Sequence, residues 1–334
     1  MPGVWTVTGN LNNAKYAQGG AGYQTAGLCF GGYDGSVKIA ETEEYNGLAW
    51  STAQNLNIVK SCLAGCGIQT AALAIAGYTS TEVNSTSEYD GTVWASSVNI
   101  NIVRRWFAAC GPVSAALCFG GRVGYSAIAN TESFDGTQWS ILANLLVKRY
   151  APGGCGTQNA ALCLAGSDFP SPDLHNLAET EEFNGVAWST GASLNLACRH
   201  PGAGGSQLAA SCFNGYNVTV LTNTEEFNGT VWTTGGNSNT AKYGSGSCGT
   251  QSALCFGGQT TPQWTVIATT EEYLTNIPPE PIYPPLEGCM TCLKDDLTPE
   301  LGGDLNMSGY NIHNETDFQM RWNPIDNSVD FTFS

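Results

Sequence analysis

The order of apolar and polar residues predicts a series of short β-strands, and one stretch early in the chain shows the pattern most clearly. Residues 61–67 are mostly small and predict a strand in a narrow space. Residues 71–77 are almost all apolar, as expected for a strand buried on both faces. Residues 85–89 alternate between polar and apolar side chains, which is typical of a half-buried strand. The dipeptide Asp90-Gly91 fits a two-residue hairpin turn, and a fourth strand follows it.

This four-strand unit recurs along most of the chain with a nearly constant period. A Thr-Glu-Glu-(Tyr or Phe)-(Asn or Asp)-Gly sequence, or a variant of it, precedes most of the regularly placed tryptophans. These tryptophans are 44 to 49 residues apart and are Trp5, Trp50, Trp94, Trp139, Trp188 and Trp232. A period in the forties with Asn-Gly or Asp-Gly turns is the sequence pattern of a β-propeller.

The two ends of the repeat array predict how the ring closes. The sixth unit has three predicted strands, but the residues from Leu274 onwards replace the usual turn and tryptophan. The chain begins with the reverse situation, because Trp5 lies in a fourth strand that no other three precede. We therefore predict an all-β fold, a six-bladed β-propeller closed by its N-terminal strand. Such closure leaves no open sheet edge.

The composition changes at Pro278, which predicts a second region. Residues 278–288 are rich in proline and predict an extended, semi-rigid linker. The linker separates the propeller, residues 1–277, from a C-terminal segment, residues 289–334. A segment this short buries little core by itself. We therefore expect residues 289–334 to dock on a partner or to oligomerise, and so to anchor the propeller.

Most of the thirteen cysteines follow the repeat. One position in the apolar second strand holds cysteine in five units and Ala74 in the sixth; the five are Cys29, Cys118, Cys163, Cys212 and Cys255. Across a short hairpin, Cys110 could face Cys118, and Cys155 could face Cys163. Other units have alanine at one of the two positions, so cross-linking is not the shared role. We interpret these cysteines as small buried apolar residues.

Cys289 and Cys292 form a single Cys-x-x-Cys motif in the C-terminal segment. A structural zinc site needs about four ligands, and only His313 is near the motif in sequence. Three alternatives stay open, which are a disulfide, a metal site shared between copies of the chain, and an unreactive pair. We assign no metal site on this basis.

The charge balance restricts the partners of the chain. A net charge of −16 argues against binding to a nucleic-acid backbone. No apolar run approaches the ~20 residues that a spanning helix needs, so we expect no membrane insertion. The N-terminus lacks the basic and apolar blocks of a signal peptide, which predicts folding in a cytoplasm.

The cationic residues recur at one place in the repeat. Eight of the twelve lysines and arginines lie between the fourth strand of one unit and the first strand of the next, and they are Lys15, Lys60, Arg104, Arg105, Lys148, Arg149, Arg199 and Lys242. In a propeller these connections share a face with the variable loops that hold Tyr33, Tyr78, Tyr125, Phe169, Tyr216 and Trp264. One interpretation is a face that binds an anionic glycan or another polyanionic surface, with aromatic rings stacked on sugars. The other is structural, with each cation paired to a repeated glutamate such as Glu44, Glu182 or Glu226.

Two parts of the sequence resemble known families. Gly-Gly doublets end the second strand and are followed by Tyr or Phe and then Trp, and in this the repeat resembles the kelch motif over residues 1–277. The doublets are Gly31-Gly32, Gly120-Gly121 and Gly257-Gly258. The Thr-Glu-Glu variant resembles the kelch-type proteins of tailed bacteriophages. The stretch Pro299-Glu300-Leu301-Gly302-Gly303-Asp304-Leu305-Asn306, with Gly309-Tyr310-Asn311-Ile312, is similar to a short part of phage tail-fibre and related appendage proteins.

These resemblances imply a non-enzymatic structural protein of a phage virion, such as a tail fibre, a spike or a capsid decoration. Such a protein would be made in the cytoplasm of the host bacterium. It would attach to other virion proteins, or to copies of itself, through residues 278–334 and present the propeller to a host-surface glycan. A second hypothesis is a bacterial kelch propeller that binds glycans or acts on them. A third is a purely structural spacer that binds no ligand.

No set of residues predicts catalysis. Three histidines are too few for a copper site like that of kelch-type oxidases. The Asp-Gly-x-x-Trp turns differ from the Asp-x-Gly turns of sialidase propellers. The sequence contains neither a Gly-rich phosphate loop nor a serine nucleophile elbow. We therefore expect no enzymatic activity, no catalytic residue and no cofactor.

Overall fold

The computed structural model describes residues 2–168, 175–249, 252–261 and 263–275, and the backbone of four short strands between residues 305 and 333. Every regular element in these ranges is a β-strand, and the strands are numbered β1 to β34 in chain order. The chain divides into two compact units, Met1–Pro278 and Pro279–Ser334, and each is described by itself.

The first unit contains six antiparallel four-stranded sheets, the blades of a six-bladed β-propeller. Three blades are built from consecutive strands. Blade 1 is β2 (Gly19–Tyr23), β3 (Ala26–Phe30), β4 (Thr42–Tyr45) and β5 (Trp50–Ala53). Blade 2 is β6 (Ala64–Ile68), β7 (Ala71–Tyr78), β8 (Glu82–Tyr89) and β9 (Trp94–Ser97). Blade 4 is β16 (Gly153–Thr157), β17 (Ala160–Leu164), β18 (Thr180–Phe183) and β19 (Trp188–Thr190).

The other three blades carry an extra two-stranded hairpin between their second and third strands. Blade 3 is β10 (Ala108–Cys110), β11 (Ala116–Phe119), β14 (Thr131–Phe134) and β15 (Trp139–Ile141), with β12 (Arg122–Val123) and β13 (Ser126–Ala127) as its hairpin. Blade 5 is β20 (Gly202–Gly205), β21 (Ala210–Phe213), β24 (Thr224–Phe227) and β25 (Trp232–Thr234), with β22 (Tyr216–Asn217) and β23 (Thr219–Val220). Blade 6 is β26 (Gly246–Gly249), β27 (Ala253–Phe256), β30 (Thr270–Leu274) and β1 (Val4–Val7), with β28 (Gln259–Thr260) and β29 (Thr265–Val266).

The N-terminal strand closes the ring, as the sequence predicted. Strand β1 pairs antiparallel with β30 of the last blade and places Trp5 opposite Tyr273. The Trp5 ring also packs on Phe213 of blade 5 at a centroid distance of 4.9 Å. Its Nε1 atom donates a hydrogen bond to Thr224 Oγ1 at 2.8 Å. The first residues of the chain therefore complete blade 6 and join it to blade 5.

The repeated tryptophans link each blade to the one before it. The Trp50 ring lies 4.9 Å from that of Phe256 in blade 6, and its Nε1 atom donates to Thr270 Oγ1 at 3.0 Å. The tryptophans Trp94 and Trp188 make the same donation to a third-strand threonine. The residue that sets the sequence period is thus also a contact between blades.

The described cysteines are buried and unpaired. Between Cys29 and Cys255 there are eleven, and each is a free thiol. Burial raises the pKa of Cys163 to about 12, so this thiol stays protonated at neutral pH. The pairing of β16 with β17 places Cys155 opposite Leu162 and Gly154 opposite Cys163. The expected facing of Cys155 and Cys163 is therefore wrong by one residue, and a shift of one residue puts side chains on opposite faces of a sheet.

Two antiparallel hairpins are described in the second unit. One pairs β31 (Leu305–Met307) with β32 (Tyr310–Ile312), and the other pairs β33 (Phe318–Asn323) with β34 (Ser328–Phe333). The proposed linker, residues 278–288, and the Cys289 and Cys292 pair lie outside the described residues. Within the described part of the chain, no helix is long and apolar enough to cross a membrane.

We expect Trp5→Ala to destabilise the whole propeller, because it removes a buried aromatic contact and a hydrogen bond from the closing strand. Truncation of a buried tryptophan typically costs about 3–5 kcal/mol. The matched control is Val7→Thr, on the same strand at a position that is 55 % exposed. Urea unfolding curves of both variants measure the effect. Equal midpoints for the two variants would contradict the closing role of β1.

Candidate ligand-binding cavity at the propeller axis

Four of the predicted site cations are buried ion-pair partners. Each lies at the end of the connection that enters a first strand and pairs with the first glutamate of the third strand in the same blade. The pairs are Lys15 with Glu43 at 2.8 Å, Arg104 with Glu132 at 2.7 Å, Arg149 with Glu181 at 2.6 Å and Lys242 with Glu271 at 3.1 Å. The side chains of all four cations are fully buried.

Blade 3 shows how completely such a pair is hydrogen-bonded. The Arg104 guanidinium donates to the Gly120 and Asn130 carbonyl oxygens as well as to Glu132. The Glu132 carboxylate accepts from the backbone N–H and the side-chain amide of Asn101, both within 2.8 Å. A buried ion pair is tolerated when its remaining polar atoms are satisfied in this way.

Asparagines equivalent to Asn101 are functional parts of the scaffold that our sequence reasoning missed. Asn12, Asn195 and Asn239 also donate to the first glutamate of a third strand. The signal is present in the sequence, because in blades 1, 3 and 6 the asparagine precedes the buried cation by three residues.

The expectation that these cations form an exposed ring on one face of the propeller is wrong for five of them. Lys15, Lys60, Arg104, Arg149 and Lys242 lie beneath the face on which they were expected, because their side chains turn inward to carboxylates and carbonyl oxygens. The structural interpretation named Glu44, Glu182 and Glu226 as partners. The structure instead uses the preceding glutamate of each Thr-Glu-Glu, because residues alternate between the two faces of a strand.

Two blades lack one member of the cation–glutamate pair. In blade 2, Ser87 replaces the glutamate, and Lys60 Nζ donates only to the Ala74 and Ser85 carbonyl oxygens, at 3.0 and 2.9 Å. Burial lowers the pKa of Lys60 to about 7. In blade 5, Cys198 stands where the other blades have a cation, and Glu225 keeps the hydrogen bonds from Asn195 and Leu196.

In each blade, the residue that follows the buried cation, or Cys198 in blade 5, lies on the face of the propeller formed by these connections, which we call the axial face. It forms a β-bridge with the residue that follows the glycine turn at the end of the second strand. The six bridges are Tyr16 with Tyr33, Ser61 with Tyr78, Arg105 with Arg122, Tyr150 with Ser167, Arg199 with Tyr216, and Tyr243 with Gln259. The expectation that these two sets of connections share one face is confirmed.

The next residue of each connection belongs to a ring around the axis. Its members are Ala17, Cys62, Trp106, Ala151, His200 and Gly244, all with φ between 52° and 60°. Each backbone N–H donates to the carbonyl oxygen of the preceding member, and the N–H of Ala17 donates to Gly244, at 2.6 to 3.3 Å. Five members are not glycine, although positive φ is unfavourable for such residues. The closed ring of hydrogen bonds stabilises these five residues in the positive-φ conformation.

A cavity of about 260 Å³ opens above this ring. It is lined by Tyr16, Trp106, Arg122, Tyr150, Arg199, His200, Tyr216, Tyr243 and Trp264. Of these, Arg199, Tyr216 and Trp264 were predicted from the sequence. The other six were missed, although Tyr16, Tyr150 and Tyr243 each follow a buried cation directly in the sequence.

Trp106 forms the floor of the cavity. Its side chain extends across the axis, because an ideal Cβ built on Gly244, the opposite member of the ring, would lie 3.9 Å from its Cη2 atom. Its ring also lies edge-on to His200 at a centroid distance of 4.3 Å. Both side chains line a second, smaller cavity of about 140 Å³ among the first strands, so they separate the two spaces.

Arg122 gives the cavity an unneutralised positive charge. It has no ion-pair partner among the described residues, and its buried Nε atom has no hydrogen-bond acceptor there. Burial and the nearby Arg105 lower its pKa. Its guanidinium lies 5.6 Å from the centre of the Tyr150 ring. An arginine in this state is suited to an anionic ligand.

Two other cations have partners already; Arg199 lines the cavity, and Arg105 lies beside Arg122 but does not line it. Arg105 pairs with Glu82 at 3.1 Å and stacks on Tyr78 at 4.3 Å. Arg199 stacks on Tyr216 at 4.5 Å and donates to Asn176 at 3.0 Å. Arg199 adds positive potential beside Arg122, whereas Glu82 offsets the charge of Arg105.

His200 contributes no positive charge at neutral pH. Burial, together with the nearby Arg199 and Arg122, lowers its pKa to about 3. The imidazole is therefore neutral in the folded protein under ordinary conditions.

The remaining predicted site residues are scattered. Lys148 and Tyr125 are exposed and do not line the cavity. Tyr33 packs edge-on against Tyr16 at 5.6 Å. Tyr78 lies under Arg105 and Lys38. Phe169 lies outside the described residues.

Comparison with known proteins supports the fold. No family model matches the sequence, and no curated protein matches it. Among solved structures, one titled "Structure of YjhT" aligns with 79 % of this chain and 95 % of that chain, at a TM-score of 0.67 and 12 % identity. At this identity the similarity shows a shared propeller fold alone. The described residues contain no group of three or more metal-binding side chains.

We expect Glu132→Ala to destabilise the protein strongly, because it leaves the Arg104 charge buried without its carboxylate. Breaking a buried pair from one side typically costs about 3–5 kcal/mol. The control is Lys148→Ala, which changes the charge at an exposed position of the same face and should stay within about 0.5 kcal/mol of the parent. Chemical denaturation of both variants tests this. A loss below about 1 kcal/mol for Glu132→Ala would show that the pair is not a stabilising contact.

Lys60 should make stability depend on pH. Its folded pKa of about 7 is below the ordinary value of 10.5, so between these two pH values the unfolded state binds more protons and raising the pH favours folding. Below pH 7 the folded state carries the full cost of the buried charge. We therefore expect Lys60→Met to be most stabilising, relative to the parent, below pH 7. This advantage should decrease above pH 7 by up to about 1.4 kcal/mol per pH unit.

The measurement is the free energy of unfolding of parent and Lys60→Met between pH 6 and pH 9.5. Lys148→Met serves as the exposed control and should show no such trend. A constant difference between parent and Lys60→Met over this range would mean that Lys60 titrates with its ordinary pKa.

Proposed function

We propose that this chain is a non-enzymatic structural protein of a phage virion, a tail fibre, spike or capsid decoration, whose kelch-like propeller binds an anionic host-surface glycan at the axial cavity. The observation that carries the binding part is Arg122, a half-buried arginine with no ion-pair partner among the described residues. Its planar guanidinium matches the geometry of a carboxylate or a phosphate.

The aromatic walls favour a sugar as the carrier of that anion. Tyr150, Tyr216, Tyr243 and Trp264 surround the cavity, and such rings combine apolar faces with polar edges. A sugar ring offers apolar C–H faces for stacking and hydroxyls for the polar edges. Together with Arg122, these walls support recognition of an acidic sugar.

The titratable groups at the cavity support binding rather than hydrolysis. General acid–base catalysis needs a group whose pKa lies near the working pH. His200 has a pKa of about 3 and Tyr243 of about 12. Neither group changes its protonation state readily at neutral pH.

The sequence resemblances supply the virion part of the proposal. In the Gly31-Gly32 doublet both residues have positive φ, 63° and 109°, which explains the preference for glycine at the end of the second strand and supports a kelch-like repeat. The similarity of residues 299–312 to phage appendage proteins supports anchoring through residues 278–334, to other virion proteins or to copies of the chain.

We expect Arg122→Ala to weaken binding of the full-length protein to anionic polysaccharides by about tenfold or more, since a hydrogen bond to a charged group contributes roughly 1.5–3 kcal/mol. Polygalacturonate, hyaluronan and heparin are suitable probes, with dextran as the neutral comparison. Isothermal titration calorimetry measures the affinities. Lys148→Ala, which removes an exposed positive charge outside the cavity, is the matched control and should bind like the parent.

Three results would count against this proposal. Equal losses for Arg122→Ala and Lys148→Ala would place binding outside the cavity. Cleavage of a probe by the parent protein, seen as new reducing ends, would favour the alternative of a bacterial glycan-active kelch propeller. Unchanged incorporation into phage particles after deletion of residues 279–334 would remove the anchoring role of the C-terminal segment.

A further inference from the structure

The axial cavity is closed at its inner end, so a glycan can enter it from one side only. The Trp106 indole crosses the axis and contacts His200, and both belong to the ring of backbone hydrogen bonds that joins all six blades. A polysaccharide therefore cannot pass from the cavity into the space among the first strands. Anything bound deep in the cavity enters and leaves through the same opening.

The size of the cavity fits a single sugar ring. Its volume of about 260 Å³ is below the ~300–1,000 Å³ that is typical of pockets for drug-sized ligands. An oligosaccharide would have to leave most of its residues outside. The residues that remain outside would meet the rim.

Trp264 forms a preorganised wall at that rim. Its indole is stacked on Tyr216 at a centroid distance of 6.1 Å and an angle of 27°, and it lies edge-on to Tyr243 at 5.8 Å. Even so, 49 % of Trp264 stays exposed, and its backbone has a φ of 56°. Unfavourable backbone conformations that the surrounding structure maintains are common at ligand-binding sites. The free part of the indole is available to stack on a sugar.

The charge distribution also favours a chain end over a long polyanion. The protein carries a net charge of −16, so an extended polyanion lying across its surface would be repelled over most of its length. The charged side chains that line the cavity are Arg122 and Arg199, and both are positive. One anionic group held there gains that attraction with little of the repulsion.

From these four features, and resting on the proposed function, we infer that the cavity recognises the terminal residue of an anionic glycan and not its internal residues. The acidic group of that residue binds the Arg122 guanidinium on the cavity side, and its ring stacks within the aromatic wall that Trp264 completes. The rest of the glycan extends away from the axis into solvent.

The test measures whether affinity depends on the number of chain ends or on the length of the glycan. Each probe polymer that binds the full-length protein is cut into size-fractionated oligosaccharides, and affinities are measured by calorimetry. If the end residue is recognised, affinity per molecule is the same for short and long fractions, and affinity per sugar residue falls as length grows. The methyl glycoside of the acidic monosaccharide competes with the polymer, whereas the methyl glycoside of its neutral counterpart does not.

Two variants test whether the terminal residue binds in the cavity. Trp264→Ala at the exposed rim should weaken binding of the monosaccharide and of the long fractions by the same factor, about tenfold, because it removes an aromatic face on which the sugar ring stacks. Tyr125→Ala, at an exposed aromatic outside the cavity, is the control and should leave both unchanged. Thermal unfolding of both variants checks that the propeller is intact.

The outcomes separate this inference from the function it rests on. Affinity that rises in proportion to the number of residues, without competition by the monosaccharide, overturns recognition of the end residue but leaves anionic-glycan binding in place. Binding that Trp264→Ala leaves unchanged also overturns it. If none of the anionic polymers or monosaccharides binds, both the inference and the proposed binding function fail.

Discussion

The buried pair between a connecting-segment cation and the first glutamate of the third strand fixes the geometry on which the axial cavity depends. In blade 3, Arg104 reaches Glu132 and two carbonyl oxygens at once, so the connection can lie in only one position over the blade. Two charges taken out of water are costly unless all their hydrogen bonds are made. The position of the connection therefore determines where the following residue, Arg105, bridges to Arg122. It also determines where Trp106 enters the axial ring.

Three consecutive residues of each connection thus have three different tasks. The first is buried and structural, the second forms a bridge on the axial face, and the third belongs to the hydrogen-bonded ring. Among the repeats, the first position is a cation in five blades, whereas the second is tyrosine, serine or arginine and the third ranges from Gly244 to Trp106. In four blades the first position is constrained because it pairs with a buried carboxylate. The second and third positions can vary and so determine what the cavity binds.

The fold was largely predictable because its causes are local and repeated. The spacing of Trp50 and its equivalents reflects a contact between neighbouring blades, and the unmatched strand at Trp5 could pair only with the incomplete sixth unit. The cavity was less predictable, since a sequence gives the charge of Lys15 or Arg149 but not whether the side chain points to solvent or to a glutamate. Arg122 and Trp106 come together only through the bridge and the ring, and neither leaves a periodic signal. His200 also reaches the axis only through that ring.

The blades that break the pattern show which part of it the fold requires. Blade 2 keeps the cation without the glutamate and blade 5 keeps the glutamate without the cation, yet both retain the bridge and the ring hydrogen bond. In each case the remaining charge keeps the kind of carbonyl or backbone N–H partners that the complete pair of blade 3 also has. The ring can therefore tolerate the loss of individual pairs, since its members hold one another through consecutive hydrogen bonds. These consecutive hydrogen bonds keep Trp106 and His200 at the axis. They do so even though the connection that contains His200 has Cys198, and not a cation, at its buried position.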